Sequence, residues 1–221
     1  MKQRATLVFL TYLAAAGVPH GEAASAQPWT TLPASPTGLC GTLTNPEFGP
    51  FDYRTASVEE KRLVEGAHFP PVVETLRRGH RGYLAGDIDY TLRAFPNHPR
   101  ALHAMARLAK RDGKLKPPGA TYPVECYFDR ALRFRPDDPW PRVLYVHFLI
   151  ESKRIKEAEI QIQEISEPLP EDSQLIYNLG LAYFSLHEYE TSLALAKRAY
   201  ALGVQVQGLK NMLKAKGAWR E

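Results

Sequence analysis

Residues 173–206 read SQLIYNLGLAYFSLHEYETSLALAKRAYALGVQV, and this stretch decides the fold. Ile176, Leu179, Gly180 and Tyr183 fall on one face of a first helix, and Tyr189, Ser192, Ala196 and Ala199 fall along a second. Apolar residues three and four apart, with a small residue where two helices would cross, describe a helical hairpin. The preceding unit starts 34 residues earlier, at Pro139. It places Tyr145, Val146, Leu149, Ile155, Ala158, Ile162 and Ile165 in the equivalent slots, with Pro170 after its second helix.

A 34-residue helix-turn-helix period with this pattern resembles the tetratricopeptide repeat. The resemblance extends upstream. Residues 88–99, IDYTLRAFPNHP, match residues 128–139, FDRALRFRPDDP, at a spacing of 40. Six residues beyond one period point to an insertion, visible at residues 114–123 as KLKPPGATYP. Each unit closes with a proline and restarts with Asn or Asp before a proline at the first helical position, where the missing N–H is harmless. The expected fold is therefore all-α: an α-solenoid of about four hairpins, at residues 65–98, 99–138, 139–172 and 173–206. Within the first, residues 72–78 and 83–95 read as the two helices, with Gly79 and Gly82 at the turn. Residues 208–219 place Leu209, Met212 and Leu213 on one side and lysines elsewhere, as a helix capping the last repeat would.

The start of the chain reads differently. Lys2 and Arg4 precede an apolar run over residues 5–18, and Ala24, Ser25 and Ala26 offer a small-x-small cleavage site, so residues 1–26 read as a secretory signal peptide. The run is shorter than the ~20 apolar residues a membrane span needs. Removing residues 1–26 takes the formal net charge from +4 to +3, a bias too small to argue for nucleic acid. The expected location is exported, periplasmic in a Gram-negative host or secreted otherwise. Residues 27–56 form an irregular segment before the helical domain, 57–221. Phe48, Phe51 and Tyr53 lie among prolines and glycine there and predict a segment that folds back on the helices, either covering a groove or capping the first repeat. Cys40 and Cys126 permit a bridge in an oxidising compartment, while two separate thiols remain the alternative.

The family resemblance implies that the first helix of each unit lines a concave groove. Carried over position by position, it nominates Arg100, His103, Arg107, Lys110 and Arg111; then Trp140, Val143, His147, Ile150 and Glu151; then Gln174, Tyr177, Leu181, Phe184 and Ser185. Such a groove is basic at one end and aromatic or aliphatic at the other, which suits a peptide or protein partner with acidic groups and apolar anchors. Two alternatives stay open: the basic residues form a solvated face, and Tyr177, Leu181 and Phe184 belong to a core filled by another segment. The chain departs from the asparagine and lysine clamp by which some members hold a free carboxyl terminus, since His103 and Arg107 stand at those positions.

Chemistry-bearing motifs point elsewhere than catalysis. The histidines are scattered without HExxH or i, i+4 spacing, neither cysteine lies in CxxC, and no GxSxG or P-loop is present. No cofactor, metal or catalytic residue is nominated. The expected function is an exported scaffold that binds a protein partner, in assembly of an envelope, secretion or pilus-type complex. The alternative is an accessory subunit or carrier holding a small anionic or glycan ligand beside Trp140, Tyr177 and the basic cluster.

Overall fold

A computed structural model describes residues 40–44 and 48–220. The signal-peptide reading and most of the irregular lead-in lie outside the described residues. Ten helices and no strand occur among the described residues. They are α1 (Val58–His68), α2 (Pro71–Glu74), α3 (Leu84–Ala94), α4 (Pro99–Asp112), α5 (Val124–Phe134), α6 (Pro139–Glu151), α7 (Ile155–Gln163), α8 (Ser173–Ser185), α9 (Tyr189–Ala201) and α10 (Gly208–Ala215). None is long and apolar enough to cross a membrane.

The helix starts follow from local chemistry. Ser57 and Glu60 form a reciprocal capping box on α1. Asp138 accepts from the Trp140 N–H ahead of α6, and Asp172 accepts from the N–H groups of Gln174 and Leu175 ahead of α8. Pro99 and Pro139 occupy first helical positions. At the α4 start the cap is His98, whose Nδ1 accepts from the Ala101 N–H at 3.2 Å. That bond places the ring proton on Nε2, which donates to Glu65 at 3.0 Å. Asn97, which the repeat pattern makes a candidate cap, is instead buried, and its amide donates to both Asp52 (2.7 Å) and Asp138 (2.8 Å).

Packing runs in series: α3 meets α4, α4 meets α6, and α6 meets α8, while α7 pairs with α6 and α9 with α8. One apolar core extends from Val73 through Leu102, Met105, Val146 and Leu149 to Leu175 and Leu179, and a second forms around Ile176, Leu193, Leu209 and Leu213. Gly180 sits at the α8–α9–α10 junction, where a Cβ would come within 2.9 Å of Leu209 Cδ2. Its carbonyl accepts from the buried Ser192 hydroxyl at 2.8 Å. In α10, Leu209 and Leu213 are fully buried, whereas Met212, expected beside them, is exposed.

The first hairpin differs from expectation. The helix expected over residues 72–78 is cut short: α2 (Pro71–Glu74) ends at Glu74, and Leu76 adopts φ +58. The chain leaves the helix at Leu76, whose N–H donates to the Val73 carbonyl (2.9 Å) while the Arg77 N–H donates to that of Val72 (3.0 Å), and beyond it the buried Asp87 carboxylate accepts from the His80 N–H (2.6 Å) and the Arg81 N–H (3.0 Å). On its N-terminal side α3 therefore packs more closely on α1 than on α2. The insertion between α4 and α5 is anchored likewise. Asp89 accepts from the Thr121 N–H and hydroxyl, each at 3.0 Å, and from the Tyr127 hydroxyl. Gly119 (φ +93) passes so close to Tyr83 that a Cβ would lie 2.5 Å from that residue's Cβ.

The segment before α1 is a strap laid over the helices. Cys40 and Cys126 are bridged, joining it to α5. The buried Arg130 guanidinium donates to the carbonyls of Cys40 and Thr42, and Arg133 donates to that of Gly41. Phe48, Phe51 and Tyr53 pack against Phe95 and its neighbours. The Phe51 N–H donates to the Ala94 carbonyl at 2.8 Å. Burial alone would raise the Asp52 carboxyl, but hydrogen bonds from Arg54 and Asn97 hold it well below the usual range, so it stays ionised.

Candidate functional site

Where α4, the C-terminal end of α6 and the turn after α2 meet, they leave an open cleft of about 580 Å³. Thr75, Leu76, His103, Arg107, Lys110, Arg111 and Glu151 line it. Four residues on α4 recur at helical spacing, so one face of that helix supplies His103, Arg107, Lys110 and Arg111. The opposite face of α4 carries Leu102, Met105 and Leu108, each buried in the main core, and this fixes the basic face outward.

The three long cations are held differently. Lys110 Nζ pairs with Glu151 Oε2 at 2.8 Å across the two helices. Arg111 donates to the Leu76 carbonyl (2.8 Å) and to Asp112 (2.8 Å), which pins the guanidinium to the cleft wall. Arg107 makes no ion pair among the described residues and is exposed. Two imidazoles adjoin them, His103 exposed in the cleft lining and His147 half-buried. Desolvation, reinforced by the Arg107 charge, pushes His103 below its ordinary range. Burial also pushes His147 down, against the hydrogen bond that its Nε2–H donates to the Asn178 carbonyl at 2.9 Å. Both shifts favour the neutral ring, and the permanent charges of the cleft lining are three cations and Glu151.

Arg100 lies on α4 but outside this cleft. It donates to Glu65 (3.0 Å) and Glu74 (2.9 Å) and spans the α1, α2 and α4 ends. Trp140 is half-buried with its indole N–H on Asp172 at 2.8 Å, and Ile150 is half-buried against the main core.

The apolar end of the nominated groove is corrected by burial. Val143 is fully buried. Tyr177 is 8% exposed, and its hydroxyl accepts from the Leu209 N–H at 3.0 Å. Leu181 and Phe184 pack half-buried against the cluster that contains Leu209 and Leu213, and the Phe184 ring lies 5.3 Å from that of Tyr189. Val143 and Tyr177 are therefore core residues. Gln174 and Ser185 are exposed on α8, and the Ser185 hydroxyl is turned back onto the Leu181 carbonyl.

The basic end thus gathers four nominated side chains and Glu151 into one cleft, and the aromatic end does not contribute. Thr75 and Leu76 lie outside the nominated set, which covers only the units from residue 99 onward. The only local hint of a turn there is the pair of glycines at 79 and 82. Comparison with protein-family models, curated proteins and solved structures gives no match to this chain.

Proposed function

We propose that this chain is an exported, tetratricopeptide-like helical-repeat module that acts by binding, and that the cleft on α4 takes an acidic segment of a protein partner. The observation that carries the reading is the cleft itself: three cations converge on an open concavity and Glu151 is the one acid among its lining residues. A basic concavity with one unpaired guanidinium attracts and orients carboxylates. The repeat assignment draws support from the paired helices α6–α7 and α8–α9 and from the serial contact of α4, α6 and α8. Export draws support from the Cys40–Cys126 bridge, since such bonds persist in oxidising compartments. A role in assembling an envelope, secretion or pilus-type complex is the setting in which a binding module of this kind would serve.

The test uses fluorescein-labelled decaglutamate, with decaglutamine as the neutral control, and the full chain in its oxidised form. Decaglutamate binds, decaglutamine does not, and Arg107→Ala weakens binding about fivefold, the upper range for one exposed charge. The thermal midpoint stays unchanged, because Arg107 makes no ion pair among the described residues. Equal binding of the two peptides, or an Arg107→Ala protein with wild-type affinity, contradicts the proposal.

A further inference from the structure

Glu151 is the residue in the cleft that the proposed role does not explain. It sits at the last position of α6, where the negative end of the helix dipole favours a cation, and that last turn contains no basic residue. Its ion pair with Lys110 joins side chains that are 54% and 50% exposed, and pairs of this kind add little to stability. Removing Glu151 would relieve the unfavourable dipole contact and leave one more free cation in the cleft. Its carboxylate lies where a carboxylate from outside would have to arrive.

We infer that Glu151 is an internal competitor for the cleft, occupying Lys110 until an acidic side chain of the partner replaces it. This rests on the reading of the cleft as a site for an acidic segment. The exchange is carboxylate for carboxylate: the incoming acid takes the Lys110 ammonium, and Glu151 turns into solvent, to which it is already half open. Charge in the cleft is conserved by that step, so it yields little net attraction by itself. A second acid, meeting the unpaired Arg107, supplies the gain. The occupant is accordingly a segment with at least two carboxylates within reach of Lys110 and Arg107, one turn apart on α4. A lone acid is discriminated against, because it must either displace Glu151 or leave Lys110 unused.

The test measures decaglutamate affinity for the wild-type full chain and for Glu151→Gln, Glu151→Asp and Arg107→Ala, at low ionic strength. Glu151→Gln tightens binding about threefold or more, and Glu151→Asp, which keeps the charge, stays near wild type. The gain shrinks at 0.5 M salt, as expected when exposed charges are screened. A second arm uses a decamer with one glutamate among nine glutamines: wild type binds it poorly, and Glu151→Gln gains more on it than on decaglutamate. If Glu151→Gln leaves affinity unchanged or weakens it while Arg107→Ala still weakens it, the competition is wrong and the acidic-segment reading survives. If neither protein binds decaglutamate, both readings fall. If citrate displaces decaglutamate at concentrations near the peptide's own Kd, the site takes small polycarboxylates, and the commitment to a protein segment is overturned.

Discussion

Replacing both Cys40 and Cys126 with alanine tests how the strap stabilises the fold. The bridge closes a sequence separation of 86 residues. In the chain-entropy account, a loop of that length restricts the unfolded ensemble by about 4.5 kcal/mol at 25 °C. The native state loses less than the whole strap when the bond is absent. Arg130 still donates to the carbonyls of Cys40 and Thr42, Arg133 to that of Gly41, and Phe51 still bonds Ala94. The double variant should therefore fold with the strap in place and be about 2–4 kcal/mol less stable, mainly through the freed unfolded chain. Urea titration of the full chain, followed by far-ultraviolet circular dichroism, reads both consequences. The midpoint falls, and the slope of free energy against urea rises, because the unbridged chain exposes more surface on unfolding. A loss under about 1 kcal/mol with an unchanged slope would refute the reasoning.

Two further predictions concern the core and the acid limb. Tyr177→Phe leaves the buried Leu209 N–H without its acceptor, so stability falls by about 1–3 kcal/mol while decaglutamate affinity is unchanged; lost affinity at full stability would restore Tyr177 to the binding surface. Glu65 is held at about 2, chiefly by the hydrogen bond from His98 and further by the Tyr53 hydroxyl, against the opposing effect of burial. A carboxyl depressed in the folded state contributes stability that is present above its ordinary value near 4.5 and is lost as pH falls toward 2. The contribution is on the order of 1–3 kcal/mol, and Glu65→Gln should flatten the acid limb of stability between those values. An acid limb of the same depth in the variant would assign the transition to other groups, Asp52 first.

The helical class and several helix starts are legible because their causes are local. Asp138 stands immediately before the helical Pro139, and of the face read on α8, Ile176, Leu179 and Gly180 are buried. The strap's return is legible too, since Phe48, Phe51 and Tyr53 are too apolar to stay in water. What is not legible depends on distant partners. The loop after α2 forms around the carboxylate of Asp87, several residues downstream on the next helix. Asn97 falls in the restart pattern ahead of Pro99, but its amide bonds Asp52 and Asp138, and His98 caps α4. Tyr177 occupies the same helical position whether a groove is open or filled, and only the arrival of Leu209 settles that it is filled. On α4 the reading is better because Leu102, Met105 and Leu108 leave only one outward face for the basic residues.

The most direct measurement is amide chemical-shift mapping of the isotopically labelled full chain during titration with decaglutamate. Saturable shifts are expected on His103, Arg107, Lys110 and Arg111, extending to Leu76 and to His147 and Glu151, with α8 to α10 quiet. Shifts centred on α8 to α10, or scattered weakly over every surface lysine and arginine, would contradict that expectation.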